Sequence, residues 1–267
     1  FPDCTAVVSA NGTELTAANG YTYEVEEDAV ITVSDSSDTL YYAASESENA
    51  NLTELKSSTT FHNADLPKTY YYGTEEDFQL LAAWNSAVSG KNVTITEADQ
   101  LKALARMVNS GKDSMTGKTI MLGADIRLNN DAVPTSGNQW TPIGTNSKRF
   151  AGTFDGQGHT IGGLYINNSS QNQGLFGYID TSAIVQNLIV TGSVTTSKEY
   201  TGGIVGRSPR NKGTVRNCGF YGTVTATGIS GGVVGGGNAL NCWYYRTDEA
   251  ASNLGVCGGT ATNCVMI

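Results

Sequence analysis

The chain has 267 residues, of which 39% are hydrophobic and 15% charged, with 32 glycines, 5 prolines, 5 cysteines and a net charge of −9. That length supports a sizeable core; the glycines run at roughly twice the usual ~7% share but without a collagen triplet, and no apolar run approaches the ~20 residues that cross a bilayer. Collagen, a coiled coil and a helical membrane span are excluded, no membrane insertion is expected, and a pI of about 4.7 argues against nucleic acid as a partner, because phosphate rewards lysine and arginine.

The charge is unevenly placed. Residues 1–80 carry 15 acidic against 2 basic side chains, whereas residues 81–267 carry 10 against 14. Units with different surfaces follow. The expected layout is a small acidic β-rich module over 1–72, two helices forming a linker and cap over 73–117, and a repeat domain over 118–267.

In the first module, strand-like pieces occur at Thr5–Ser9, Tyr21–Val25 and Ala29–Ser34, with tight hairpin turns expected at Asn11-Gly12 and Asn19-Gly20. Residues 45–60 fit an exposed loop or a weak helix equally well. Tyr41, Tyr42, Tyr70, Tyr71 and Tyr72 fit either a sugar-stacking platform or strand residues packing on a small core. Thr74-x-x-Asp77 caps a predicted helix through Phe78, Leu81, Ala82 and Val88, ending at Gly90. Thr96-x-x-Asp99 caps a second, whose Leu101, Leu104, Ala105 and Val108 make one apolar stripe before Gly111. Such a stripe covers something flat, and it stands where the end of a β stack needs a cap against edge pairing.

From residue 118 the pattern turns to short β-rich pieces with an internal repeat. Gly-apolar-apolar-Gly occurs at Gly174–Gly177, Gly203–Gly206, Gly232–Gly235 and Gly255–Gly258, at offsets of 29, 29 and 23. A second unit keeps step: Val185-x-Asn187-Leu188, Val215-x-Asn217-Cys218, Ala239-x-Asn241-Cys242 and Ala261-x-Asn263-Cys264. Val185 and Leu188 are three apart, so a straight strand would send them to opposite faces. A bend must lie between them, at Asn187, since asparagine tolerates the left-handed region. Stacked at ~4.8 Å, Asn187, Asn217, Asn241 and Asn263 would form an amide ladder. The fold expected is mainly β: a right-handed parallel β-helix of about five to six coils. Its first coil is expected to begin at Thr119–Leu122, Gly163 is expected in the asparagine position of an early coil, and Trp243–Asn253 is one candidate for covering the last.

Cys218, Cys242 and Cys264 then take the inward position that Leu188 and Leu164 fill in earlier coils. Without CxxC spacing they read as free, buried core thiols rather than a metal or redox cluster. No metal and no cofactor are expected. With two histidines, His62 and His159, little material for a His-based catalytic system exists, and HExxH, GxSxG and P-loop motifs do not occur. Asp155-Gly156-Gln157-Gly158-His159 reads as turn chemistry. Asp125, Asp155 and Asp180 occur singly on different repeats, unlike the clustered acids that bind calcium or cleave glycosides, so no catalytic residue is assigned. The loop between the two repeated units is variable; at its longest it carries Arg207, Arg210 and Lys212, followed by Arg216. This is a local positive edge, either a solvated loop or a site for an anionic glycan or partner.

Trp140-Thr141-Pro142-Ile143-Gly144, Phe150-x-Gly152-Thr153-Phe154-Asp155-Gly156-Gln157-Gly158-His159-Thr160-Ile161 and Gly174-Leu175-Phe176-Gly177, in that order, resemble bacterial surface proteins with GLUG-motif repeats. Such repeats also occur in the non-catalytic region of immunoglobulin A-cleaving metalloproteases. The likeness covers about residues 92–267, including a helix at Ile95–Asn109, and does not reach 1–72. It implies a secreted or wall-attached β-helical protein with an adhesive role, extracellular or at the cell surface, with signal and anchor outside this chain. The expected function is non-catalytic binding of a glycan or host surface protein, as a monomer. The competing readings are a β-helical carbohydrate-active enzyme, such as a polysaccharide lyase or glycoside hydrolase, and a spacer within a larger surface protein.

Overall fold

A computed structural model describes residues 7–11, 13–14, 22–25, 29–34, 40–43, 52–54, 58–61, 68–90, 92–209, 213–247 and 255–267. Asn19-Gly20, His62, Cys4, Arg210 and Lys212 lie outside the described residues. The chain divides into two compact units, Phe1–Ser86 and Ala87–Ile267.

The first unit contains β1 (Val7–Ala10), β2 (Thr13–Glu14), β3 (Thr22–Val25), β4 (Ala29–Ser34), β5 (Tyr41–Ala43), β6 (Thr53–Glu54), β7 (Ser58–Phe61), β8 (Lys68–Gly73) and most of α1 (Glu75–Ala87). Two antiparallel sheets form, in the orders β2-β1-β4-β7 and β3-β8-β5-β6. The Asn11 hairpin is present: Ala10 pairs with Thr13 and Asn11 takes φ 46°. Where the sequence left a loop or a weak helix over 45–60, strands β6 and β7 occur. Helix α1 has the expected reciprocal cap, with Thr74 N–H donating to Asp77 Oδ2 at 2.9 Å and Asp77 N–H to Thr74 Oγ1 at 3.2 Å. It stops at Ala87; Val88, expected inside it, belongs to a strand.

The second unit runs β9 (Val88–Ser89), β10 (Asn92–Ile95), α2 (Ala98–Ser110), β11 (Thr119–Leu122), β12 (Ile126–Arg127), β13 (Thr153–Asp155), β14 (Thr160–Asn168), β15 (Phe176–Tyr178), β16 (Ile184–Thr196), β17 (Thr201–Gly202), β18 (Val205–Arg207), β19 (Thr214–Ala226), β20 (Ser230–Gly231), β21 (Val234–Gly236), β22 (Ala239–Leu240), β23 (Trp243–Arg246), β24 (Ala261–Thr262) and β25 (Val265–Met266). Parallel pairing arranges these strands in four rows. The first joins β10, β11, β13, the start of β16, the start of β19, β22 and β24. The second joins β12, β14, the rest of β16 and β19, β23 and β25. Gln173, β17 and β20 make the third; Ile143, β15, β18, β21 and Cys257 make the fourth. From β13 onward the chain visits the rows in the same order in each repeat, so the repeat in the sequence is a repeat of the backbone.

The first row begins one strand earlier than expected. β10 pairs with β11 in parallel, Ile95 with Leu122, and α2 is inserted between these two rungs. The α2 stripe is buried as expected, and Asn109 ties the helix down by donating to the Pro142 carbonyl at 3.0 Å and accepting from Gly144 N–H at 2.8 Å. Its entry differs from the expected Asp99 cap: Gln100 Oε1 accepts from Thr96 N–H at 2.7 Å, while Asp99 pairs with Lys102. Gly111, at φ 80°, closes the helix as a left-handed cap. At the other end, Trp243–Arg246 is not an unrepeated cover but a rung of the second row, paired with β19 and β25.

The core shifts across the stack. Inward residues of the first row shrink from Phe154 through Val185 and Val215 to Ala239, while the second row passes from the aliphatic Ile161 and Val190 to the rings of Phe220 and Tyr244 in the later rungs; all are buried. Volume lost on one side is refilled from the other. Gly203 and Gly232 are where those second-row rings arrive: a Cβ on either would stand 2.3 Å from the Phe220 ring or 2.1 Å from the Tyr244 ring. The doublet glycines are therefore a packing requirement.

Candidate functional site

The asparagine corner is present. Asn187, Asn217, Asn241 and Asn263 have φ 53°, 53°, 52° and 49°. Asn241 Nδ2 donates to Asn217 Oδ1 at 3.2 Å, Asn217 to Asn187 at 3.1 Å, and Asn187 to Asp155 Oδ1 at 3.0 Å. The ladder thus starts on a carboxylate. Asp155 pairs in register with Gln186, so the earlier counterpart of the corner is Gly156–Gly158 and not Gly163, which sits in the shift between the Ile161–Val190 and Leu164–Gly192 pairs. Burial opposes ionisation of Asp155, but hydrogen bonds from Gln157 N–H, Asn187 and Gln186 outweigh it and hold its pKa below the usual carboxylate range. Asp155 is thereby a structural acid. His159 lies instead 3.2 Å from Asp125, which precedes β12, and Thr160 N–H also bonds Asp125 at 2.9 Å.

The cysteines stack as expected behind Leu188, which pairs with Cys218. Cys218 and Cys242 are buried and unbridged, but Cys264 is half-buried rather than buried. The Cys218–Cys242 hydrogen bond and burial push the Cys218 thiol well above its usual range; the same bond draws Cys242 down to about 7. Among the described residues no group of three or more acidic, His and Cys side chains is placed to hold a metal.

The expected basic edge divides between rows. Arg216, in the first row, donates twice to Gln186 Oε1, at 2.9 and 2.6 Å. Arg207, at the end of β18, stacks over the Tyr178 ring with 4.9 Å to the centroid and over the Tyr200 ring at 4.3 Å. Arg149 covers the same Tyr178 ring at 4.3 Å. Because Phe150 pairs with Ile179 and Tyr178 with Arg207, Arg149, Tyr178 and Arg207 are successive rungs of one outward column. Tyr200 extends it by lying over Gly236, the rung after Arg207, where an added Cβ would be 2.5 Å from its ring. The column alternates cation and aromatic, and Tyr178 is only 6% exposed beneath its two guanidiniums.

An open cleft of about 620 Å³ adjoins this column, lined by Ser114, Thr116, Asn146, Ser147 and Ser182 beside Arg149 and Asp180. Arg149 reaches Asp180 at 3.7 Å and the Asn146 carbonyl at 3.4 Å. Hydroxyls, an amide, a carboxylate and a guanidinium on one open surface suit hydrogen bonding to a polar ligand. Arg149, Tyr178 and Tyr200 were not singled out from the sequence. The signal existed for two of them: Arg149, Tyr178 and Arg207 are spaced by 29 and 29, the offset of the glycine unit. A second outward feature, marked by no sequence motif, is the stacked pair Tyr221 and Tyr245 with centroids 4.9 Å apart.

No family model matches the chain, and no solved structure matches it. Among curated proteins it is similar to Halomucin of Haloquadratum walsbyi, at 27% identity over 251 residues, which is 85% of this chain and 3% of that protein. It is also similar, at 44% identity over 61 residues, to a protein of Evansella cellulosilytica described as a Gly-rich membrane protein, covering 22% of this chain and 7% of that one. The chain therefore spans a small fraction of either relative. Among the described residues no helix is long and apolar enough to cross a membrane.

Proposed function

We propose that this is a secreted or cell-surface binding protein, adhesin-like and non-catalytic, whose second unit is a right-handed parallel β-helix of the GLUG type engaging a glycan or host surface protein. The observation that carries the reading is the Arg149–Tyr178–Arg207–Tyr200 column beside its hydroxyl-lined cleft, displayed on strands that repeat in parallel. Likeness to Halomucin and to a Gly-rich membrane protein supports a surface or extracellular setting. Against an enzyme, Asp125, Asp155 and Asp180 are engaged separately, by His159 and Thr160, by the asparagine corner, and by Arg149.

The test is binding of the whole chain to arrays of glycans and host surface proteins, beside an R149A/R207A variant. Retention on a restricted set, lost in the variant, is expected. Arrays left blank by the wild-type chain would reject the binding role and favour a spacer.

A further inference from the structure

We infer that Arg149 and Arg207 are a paired reader of a linear acidic polysaccharide lying along the direction in which the coils stack. This rests on the binding role above and names its ligand class. Stacking on Tyr178 and Tyr200 occupies the guanidinium faces and leaves the N–H edges, which match carboxylate or sulfate oxygens in bidentate geometry. Those edges are under-used. Arg149 has Asp180 at 3.7 Å, beyond hydrogen-bond range, and Arg207 makes no ion pair among the described residues. Of the two cations only Arg149 has a carboxylate beside it, and the excess positive charge favours an anion.

Spacing narrows the class. Arg149 and Arg207 are two rungs apart in one column, roughly 10 Å at ~4.8 Å per rung. A single small anion cannot meet both, whereas a sugar chain carrying an acid on alternate residues presents charges at about the length of a disaccharide. The cleft selects sugar over peptide: Ser114, Thr116, Asn146, Ser147 and Ser182 offer donors and acceptors for ring hydroxyls, and its lining includes no large apolar side chain to anchor a peptide.

The experiment measures affinity of the whole chain for hyaluronan, with a carboxylate on alternate sugars, for dextran sulfate, for neutral dextran and for polyglutamate, at low and high salt. Hyaluronan is expected to bind, and more weakly as salt rises. R149Q and R207Q should each bind it roughly tenfold more weakly, a loss of about one charge-assisted contact pair, and R149K only partly restores binding. Asp180→Asn is expected to tighten binding by removing a repelling carboxylate, which a purely structural role for these residues would not do. Equal thermal midpoints certify that the variants fold. Binding of dextran sulfate alone identifies sulfate as the anion and keeps the acidic-glycan class. Neutral dextran or polyglutamate bound as well as hyaluronan would overturn the class while leaving a binding role intact. Unchanged affinity in both arginine variants would overturn the site. Failure of all four polymers, with selective retention on the arrays, would reject the ligand class alone.

Discussion

At the Asn217 corner one residue does two jobs. Asn217 holds a left-handed backbone that costs most side chains roughly 1–2 kcal/mol, and its amide also links the rungs on either side. Asn217→Ala is expected to lower stability by about 1–2 kcal/mol in chemical denaturation, with Asn217→Gly recovering the backbone share but not the amide share. Equal losses for Ala and Gly would show that the ladder, not the conformation, matters. At the head of the ladder the sign of the pH effect follows from Asp155. Its folded pKa lies below the unfolded value of about 3.9, so its contribution is complete above that value and is lost as pH falls through the folded pKa. The wild-type protein should lose stability below about pH 4, and Asp155→Asn should flatten that part of the profile at a cost of about 1–2 kcal/mol near neutrality.

Rows of strands succeed or fail by how side chains cross the interior. An alanine at Gly203 would push into the Phe220 ring, an overpacking that costs about 1–3 kcal/mol, and Phe220→Leu in the same chain should recover much of it. Denaturant midpoints of the two single variants and the double variant measure that coupling; strict additivity would contradict the packing account. The same rows explain what the sequence disclosed. Gly-apolar-apolar-Gly and the Val/Ala-x-Asn-Leu/Cys unit were readable because close approach and a left-handed corner each admit few residue types, so the two motifs recur together four times. The earliest rungs were not readable: α2 separates β10 from β11, and the long segment between β12 and β13 breaks the period before it is established. The Arg149–Tyr178–Arg207 column was hidden for a different reason. Outward positions obey no packing rule, and an alternation of Arg and Tyr looks like scatter until it is aligned on the 29-residue offset.

Toward the C-terminal rungs of the second unit the described residues become progressively more exposed. Cys218 and Cys242 are buried, Cys257 and Cys264 are half-buried, and Val265, Met266 and Ile267 are more than half exposed. Alkylation of the native protein followed by mass mapping should label Cys257 and Cys264 and spare Cys218 and Cys242 until unfolding; early labelling of Cys218 would mean that the stack opens locally. The proposed function rests on the outward column of guanidiniums and tyrosines set by the parallel stacking of Arg149, Tyr178 and Arg207. Its most direct test is arginine Nε–H resonance titration with an acidic oligosaccharide long enough to span two rungs. Saturable shifts are expected at Arg149 and Arg207 with Arg127 and Arg216 unmoved, whereas uniform shifts at all four, or movement confined to Arg216, would contradict it.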